Sequence, residues 1–188
     1  MSVAAFLDAS VLYPATLRSV LMYLAAADTF RALWSDAVSR EWMTALARDR
    51  PDLSPSAITR VRALMQAHVE HAVVSGYEEL IPTLTLPDPE DRHVLAAAIH
   101  GGAEIIVTAN VRHFPAEALE PHRVAAQDPD TFIRGLLEAD AESAVAALAA
   151  DRARLRNPAM DPNQYIASLE RAGLTATAAA LRSFIDTL

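Results

Sequence analysis

Four oxygen-bearing side chains stand where they could share a divalent cation: Asp8, Glu41, Asp91 and Asn110. Two of them fall in the densest stretch, residues 87–114, P-D-P-E-D-R-H-V-L-A-A-A-I-H-G-G-A-E-I-I-V-T-A-N-V-R-H-F. Carboxylates gathered at one place repel, and one of them is driven to hold a proton. A cation between them removes that penalty. It also makes hydroxide from bound water near neutral pH and stabilises charge on an oxyanion. Carboxylate and carbonyl oxygens suit Mg²⁺ or Mn²⁺ rather than zinc.

The elements that must position these groups can be read from the same letters. Asp88 reads as a helix N-cap, with Pro89 at the first helical position and Asp91 three residues past the cap, where it can reach back. Val94, Leu95, Ala98 and Ile99 then share a face, and Gly101-Gly102 ends the helix. A buried strand, Glu104 to Thr108, follows and stops at Thr108-Ala109-Asn110. A helix feeding a strand puts acids at the helix start and polar groups at the strand's carboxyl end. In an open α/β sheet, ligands gather outside the carboxyl ends of parallel strands.

Earlier in the chain, Val3 to Leu7 reads as a strand ending at Asp8, and Thr16 to Ala26 as a helix. Phe30 to Trp34 is a second strand. Ser35-Asp36 then caps a helix carrying Glu41 on the border of its apolar side. Ser54-Pro55 opens a helix reaching about Ala72, and Tyr77 to Leu86 is a short element with turns. Arg123 to Ala126 forms an edge strand, and Asp128-Pro129-Asp130 opens a helix through Leu137. The alternation predicts an α/β fold in three layers, α/β/α, around a mainly parallel sheet. From Asp140 the chain turns Ala-rich and all-helical: 141–156, 162–172 and 175–187, broken at Asn157-Pro158, Asp161-Pro162 and Gly173. Two units are expected, 1–137 and a helical extension over 138–188.

Singly, each candidate has a plain structural reading. Asp8 can cap the turn behind it. Glu41 can be a salt-bridged surface residue. Arg18 is either solvated or aimed at an anion. His68 and His71, three apart, could ligate metal, but a cationic His also suits a helix C-terminus. Arg152, Arg154 and Arg156 form a solvated basic face or a contact for RNA or an acidic partner.

Composition excludes several classes. The chain has 188 residues, is 52% apolar and holds no Cys, which removes disulfide, thiolate-zinc and Cys-nucleophile chemistry. All 16 basic residues are Arg. Without Lys there is no Walker-type phosphate loop, Schiff base or Ser-Lys pair. The absent Lys also argues against a receiver-type phosphorylated domain, and Ser10, two residues after Asp8, removes the second acid of an Asp-nucleophile phosphatase. A net charge of −8 speaks against non-specific nucleic-acid binding. No apolar run reaches membrane-spanning length and no signal peptide is legible, so a cytoplasmic protein is expected.

F-L-D-A-S-V-L-Y-P, W-S-D-A-V-S-R-E-W, L-P-D-P-E-D-R-H-V-L-A-A-A-I and V-T-A-N-V-R-H-F-P together resemble the PIN-domain ribonucleases. Within them the chain is most similar to VapC-type toxins of bacterial toxin–antitoxin pairs, in a subgroup with a helical C-terminal extension. The resemblance covers Val3 to Leu137. It implies a metal-dependent endoribonuclease whose first three acids are Asp8, Glu41 and Asp91, with Asp88 as an additional acid. It departs at the fourth position: where many PIN domains have Asp after the strand or three residues later, this chain has Asn110 and His113. An amide oxygen can ligate a hard cation without adding charge, so one ion or two is left open. The implied roles are Asp8 and Asp91 as principal Mg²⁺ or Mn²⁺ ligands and Glu41 ligating or orienting the water. Ser10 and Thr108 would brace the ligands, and Arg18, Arg92 and Arg112 would grip phosphates. The implied partners are RNA, a small antitoxin and a second copy of the chain. A PIN-fold nuclease without an antitoxin, or a module that only binds RNA or protein, are the alternatives.

Overall fold

The structure, a computed structural model, describes residues 2–156 and 158–188. Its centre is β1 (Ala4–Leu7), buried along its whole length. Around it lie β2 (Arg31–Ser35), β3 (Val73–Val74), β4 (Ile105–Val107) and β5 (Ala125–Gln127), in the order β3-β2-β1-β4-β5. Every neighbouring pair is parallel. A parallel strand covered on both faces needs an unbroken apolar run, which A-A-F-L supplies.

The helices are α1 (Ala9–Leu12), α2 (Ala15–Ala26), α3 (Asp36–Asp49), α4 (Pro55–His68), α5 (Arg92–Gly101), α6 (Ala116–Leu119), α7 (Pro129–Ala139), α8 (Ala141–Arg154), α9 (Pro162–Arg171) and α10 (Thr175–Leu181). The chain steps outward from β1 to β3, then returns through α5 to β4 on the far side of β1. Right-handed crossovers therefore put α5 on the opposite face from the helices joining the first three strands. α5 lies across β1 to β4, and its Gly101 is pressed close. A Cβ there would come within 2.9 Å of Val74 and 3.1 Å of Leu33. Gly102 then ends the helix at φ 66°, a left-handed conformation that glycine adopts without steric cost.

Several expectations are corrected. The helix drawn to Ala72 stops at His68, because Val73 and Val74 pair with Trp34 and Ser35 as β3. Two residues are too short a run to show strand periodicity. The helix drawn from Pro89 begins at Arg92. Pro89–Asp91 forms a single 3-10 turn instead, capped by the Asp88 carboxylate accepting from the Glu90 amide at 2.9 Å. The last helix ends at Leu181 and continues as a 3-10 turn, Arg182–Phe184. Pro158 follows α8, while Asn157, the other half of that expected break, lies outside the described residues.

The C-terminal helices are bolted to the sheet domain. α8 packs on α2 and α7, and α10 packs on α7 and α9. Asp151 on α8 is only 2% exposed. It accepts hydrogen bonds from Ser19 Oγ (2.5 Å), Tyr165 OH (2.8 Å) and Arg154 Nε (2.8 Å). The Asp130 carboxylate on α7 caps α10, accepting from the amides of Ala176 (2.7 Å) and Thr177 (2.8 Å). Arg152 donates to the carbonyls of Met160 (2.7 Å) and Leu188 (3.1 Å). Arg152 therefore ties the extension together, while Arg154 pairs with Asp151 from an exposed position and Arg156 is exposed. Asp151→Ala would strand the buried Tyr165 hydroxyl and leave Arg154 without its partner. It is expected to cost about 2–4 kcal/mol in denaturant unfolding, and to lower Tm by roughly 5–15 °C. A loss below about 0.5 kcal/mol, the usual range for a neutral surface change, would show that this network does not anchor the extension.

Candidate metal centre

The register Leu7↔Val107 sets Asp8 and Thr108 side by side at the carboxyl edge of the two central strands. The Asp8 amide donates to the Val107 carbonyl at 3.1 Å. The residue is 6% exposed, and both of its carboxylate oxygens accept hydrogen bonds, leaving Oδ1 with a free lone pair. Oδ1 accepts from the Ala9 amide at 2.7 Å, and Oδ2 accepts from Ser10 Oγ (2.6 Å) and Thr108 Oγ1 (2.8 Å). Hydrogen bonds to an ionised carboxylate are about twice as strong as neutral ones. Asp8 therefore caps α1 and is held in one orientation at the sheet edge. The hydroxyls of Ser10 and Thr108 brace it and also tie down the loop after β4. The Ala109 amide donates to Ser10 Oγ and the Asn110 amide to Thr108 Oγ1, both at 3.0 Å.

Asp91 stands at the start of α5, and its side chain makes no bond to the helix backbone. Instead Oδ2 lies 2.8 Å from Nδ1 of His113. Asp88, Asp91 and His113 each bring a donor atom within 4.8 Å of the others. Burial raises the pKa of Asp91 above the ordinary carboxylate range. The charges of Asp8 and Asp88 add to that, and the His113 hydrogen bond opposes it. Asp8 is outside the tight trio but near enough for its charge to be felt.

Glu41 reaches this place from α3. Its Oε1 lies 2.8 Å from Nε2 of His93 on α5. The carboxylate is 47% exposed and the imidazole 17%. Burial works against a charge on His93, but the Glu41 hydrogen bond and the charges of Glu41, Asp8 and Asp91 outweigh it, so the pKa is raised. Nδ1 of His93 is buried without a partner. Glu41 is thus salt-bridged, as one reading held, and its partner belongs to the same acidic neighbourhood.

The remaining candidates divide. Asn110 is exposed and begins the 3-10 turn Val111–His113 without a side-chain bond; it is His113 that closes on the acids. Arg92 donates to the Pro89 carbonyl at 2.9 Å, and Arg112 is exposed on the turn after β4. Arg18 is corrected. It is 9% exposed, donates to the carbonyls of Leu12 (2.6 Å) and Tyr13 (3.0 Å), and lies 5.1 Å from the Trp42 ring centroid. Its guanidinium secures the end of α1 against α3 and grips no phosphate. His93 is the group that reading the sequence missed. It lies two residues after Asp91, a spacing at which residues do not share a helix face, so no periodicity marked it.

The donor set fits a divalent cation: three carboxylates, one imidazole and rising proton affinity where the acids crowd. Residues 4–112 match the family model described as PIN domain, and 129–183 the model described as VapC50 C-terminal domain. The first match covers more than half of the chain, and the protein belongs to the PIN-domain family. Among curated proteins it is similar to the one named "Putative ribonuclease VapC50" of Mycobacterium tuberculosis, 45% identical over 67 residues, which are 36% of this chain and 39% of that protein. The matched part thus spans about two fifths of the relative's length. No solved structure matches.

A carboxyl whose pKa rises on folding binds its proton more tightly in the folded chain. Asp91 therefore favours folding at low pH and takes stability away as pH rises past the ordinary carboxylate range. In EDTA at neutral pH, Asp91→Asn is expected to unfold at the same or a higher temperature than the parent. Added Mn²⁺ is expected to stabilise the parent by about 2.7 kcal/mol at a hundredfold excess over Kd, and the variant much less. A lower unfolding temperature for the variant in EDTA would contradict this reading of the acids.

Proposed function

We propose that the protein is a metal-dependent endoribonuclease, the toxin of a type II toxin–antitoxin pair, hydrolysing RNA in the cytoplasm with Mg²⁺ or Mn²⁺. The carrying observation is the convergence of Asp8, Asp88 and Asp91 at the carboxyl edge of a PIN sheet, close enough that the charges of Asp8 and Asp88 raise the proton affinity of Asp91. Catalysis would reside in residues 1–137, with 138–188 as the extension; α7 packs on α8 and α10, and its Phe132 ring meets Phe30 edge-on.

In this reading Asp8 and Asp91 are the principal ligands, with Asp88 beside them and Asn110 offering an uncharged oxygen from the loop. A divalent ion held by these residues would supply a water of lowered pKa and offset charge on the scissile phosphate. Glu41 would ligate the ion or orient its water, and His93, 2.8 Å from Glu41 Oε1, would fix that carboxylate. Ser10 and Thr108 keep Asp8 from turning. Arg92 and Arg112 flank the acids and would meet neighbouring phosphates.

A small antitoxin and a second copy of the chain are partners in the same proposal. A groove of about 330 Å³ supports the first. Met22, Leu64 and Met65 line it, Arg154 and His68 border it, and Leu64 is 51% exposed. An amphipathic segment with acidic flanks suits that lining. The exposed, uncharged Asn110 favours one rival, a module that binds RNA without turnover.

Purified protein, free of antitoxin, is expected to cleave total RNA with Mg²⁺ or Mn²⁺ and not in EDTA. Asp8→Asn keeps the size of the side chain and removes its charge. It is expected to slow cleavage at least about a hundredfold, the effect of roughly 3 kcal/mol at the transition state. Equal cleavage by Asp8→Asn would overturn the assignment. Folded protein that binds RNA and leaves it intact would favour the binding module.

A further inference from the structure

We propose that Arg40 grips a phosphate of the RNA backbone on the Glu41 side of the sheet edge, so that the strand runs along the exposed face of α3. The inference rests on the nuclease reading above.

Arg40 is a cation whose natural partners are already taken. An Arg on a helix surface pairs most readily with acids three or four residues away. Those places hold Asp36, Ala37, Met43 and Thr44, so Asp36 is the acid available to it. Its Oδ1 instead accepts from Arg62 of α4, at 2.7 Å. The acid next to Arg40 in the chain, Glu41, is paired with His93 at 2.8 Å. Arg40 is exposed and forms no ion pair among the described residues.

The surface around it suits a nucleic-acid strand. Ala37, Arg40, Glu41, Thr44, Ala45 and Arg48 line one open depression of about 440 Å³. Ala37 and Ala45 are half-buried and leave room for a sugar, and the exposed Thr44 adds a hydroxyl. Arg48 stands at the far end, two turns or about 12 Å along the helix axis. It is already neutralised, with both oxygens of Asp49 accepting from its guanidinium at 2.8 and 3.2 Å. Of the two cations in the depression, Arg40 is the one without a carboxylate, and it adjoins the acid that the proposed mechanism uses.

The chemistry of that cation selects phosphate. A guanidinium presents a planar fork of N–H donors that matches two phosphate oxygens. Such a contact sets the register of a strand and reads no base. The chain carries a net charge of −8, so a polyanion meets general repulsion and needs local cations to dock. Arg40 supplies one whether or not an ion fills the acidic site, so its contact can be measured without turnover.

A fluorescent single-stranded RNA is titrated with the full chain by anisotropy in EDTA, over a range of salt, for the parent, Arg40→Ala, Arg40→Lys and Arg171→Ala. Arg171 is an exposed arginine of α9, so its loss removes the same charge from the extension. Thermal unfolding checks that each variant is folded. Arg40→Ala is expected to weaken binding at least about tenfold, the loss of one charge-assisted contact. The slope of log affinity against log salt is expected to become shallower by about 0.7, one phosphate contact on a single strand. The loss is expected to be the same on a second RNA of different sequence. Arg40→Lys is expected to recover the slope and part of the affinity, and Arg171→Ala to stay close to the parent. In cleavage with Mg²⁺ or Mn²⁺, Arg40→Ala is expected to raise KM more than it lowers kcat. Unchanged affinity in folded Arg40→Ala, an equal loss in Arg171→Ala, or a loss that depends on RNA sequence would overturn the proposal, while cleavage that still needs metal and Asp8 would leave the nuclease reading standing. A parent that neither binds nor cleaves RNA would bring down both.

Discussion

Crowded carboxylates at the end of a buried sheet are the constraint on which the rest depends. Asp8 follows β1, in the middle of the sheet, where the helix layers keep water away. It is held there by one amide and two hydroxyls. Those bonds stabilise one charge and fix its direction, but they do nothing for the neighbours. Asp91 sits nearby with its proton affinity raised by burial and by Asp8 and Asp88. A protein that needed only stability would have no reason to keep three acids there. In the proposed reading a bound cation would relieve that repulsion, and function-bearing sites commonly hold such local cost.

The fold answers that constraint by topology. Parallel pairing of β1 with β4 brings Asp8 beside Thr108, and the return crossover brings the start of α5, with Asp88 and Asp91, to the same edge. α3 adds Glu41, which the His93 ring on α5 holds in place. The C-terminal helices do not enter this edge. They reinforce the opposite end of the logic: Asp151, Ser19 and Tyr165 fix α8 and α9 on α2, and Arg18 on α2 fixes α1 directly behind Asp8. The extension thus bears on the site through a chain of packed helices.

Much of this was legible in the sequence, and the reasons are specific. Short apolar runs ending in a polar residue gave β1 and β4 to within a residue or two, and with them the placement of Asp8 and Thr108. The D-P-x-D pattern marked the start of α5, though it could not show that Pro89–Asp91 would wind as a 3-10 turn and free Asp91 from capping. What was not legible depended on contacts between distant segments. β3 is two residues long and is defined by its neighbour, not by its own pattern. His93 faces Glu41, 52 residues away, with no local signal, and His113, marked in the sequence only as a missing acid, faces Asp91 22 residues away. Arg18 looked like a free cation because a buried Arg held by two carbonyls and an aromatic face reads in sequence like any other.

The most direct measurement is diffraction from crystals grown with Mn²⁺, recorded where the ion scatters anomalously. One peak is expected at the sheet edge, within about 2.0–2.4 Å of oxygens from Asp8 and Asp91, with Glu41 in reach of the ion or its water. A fully occupied ion elsewhere, with Asp8 and Asp91 still bonded only to protein, would contradict the claim that these acids are gathered to hold a metal.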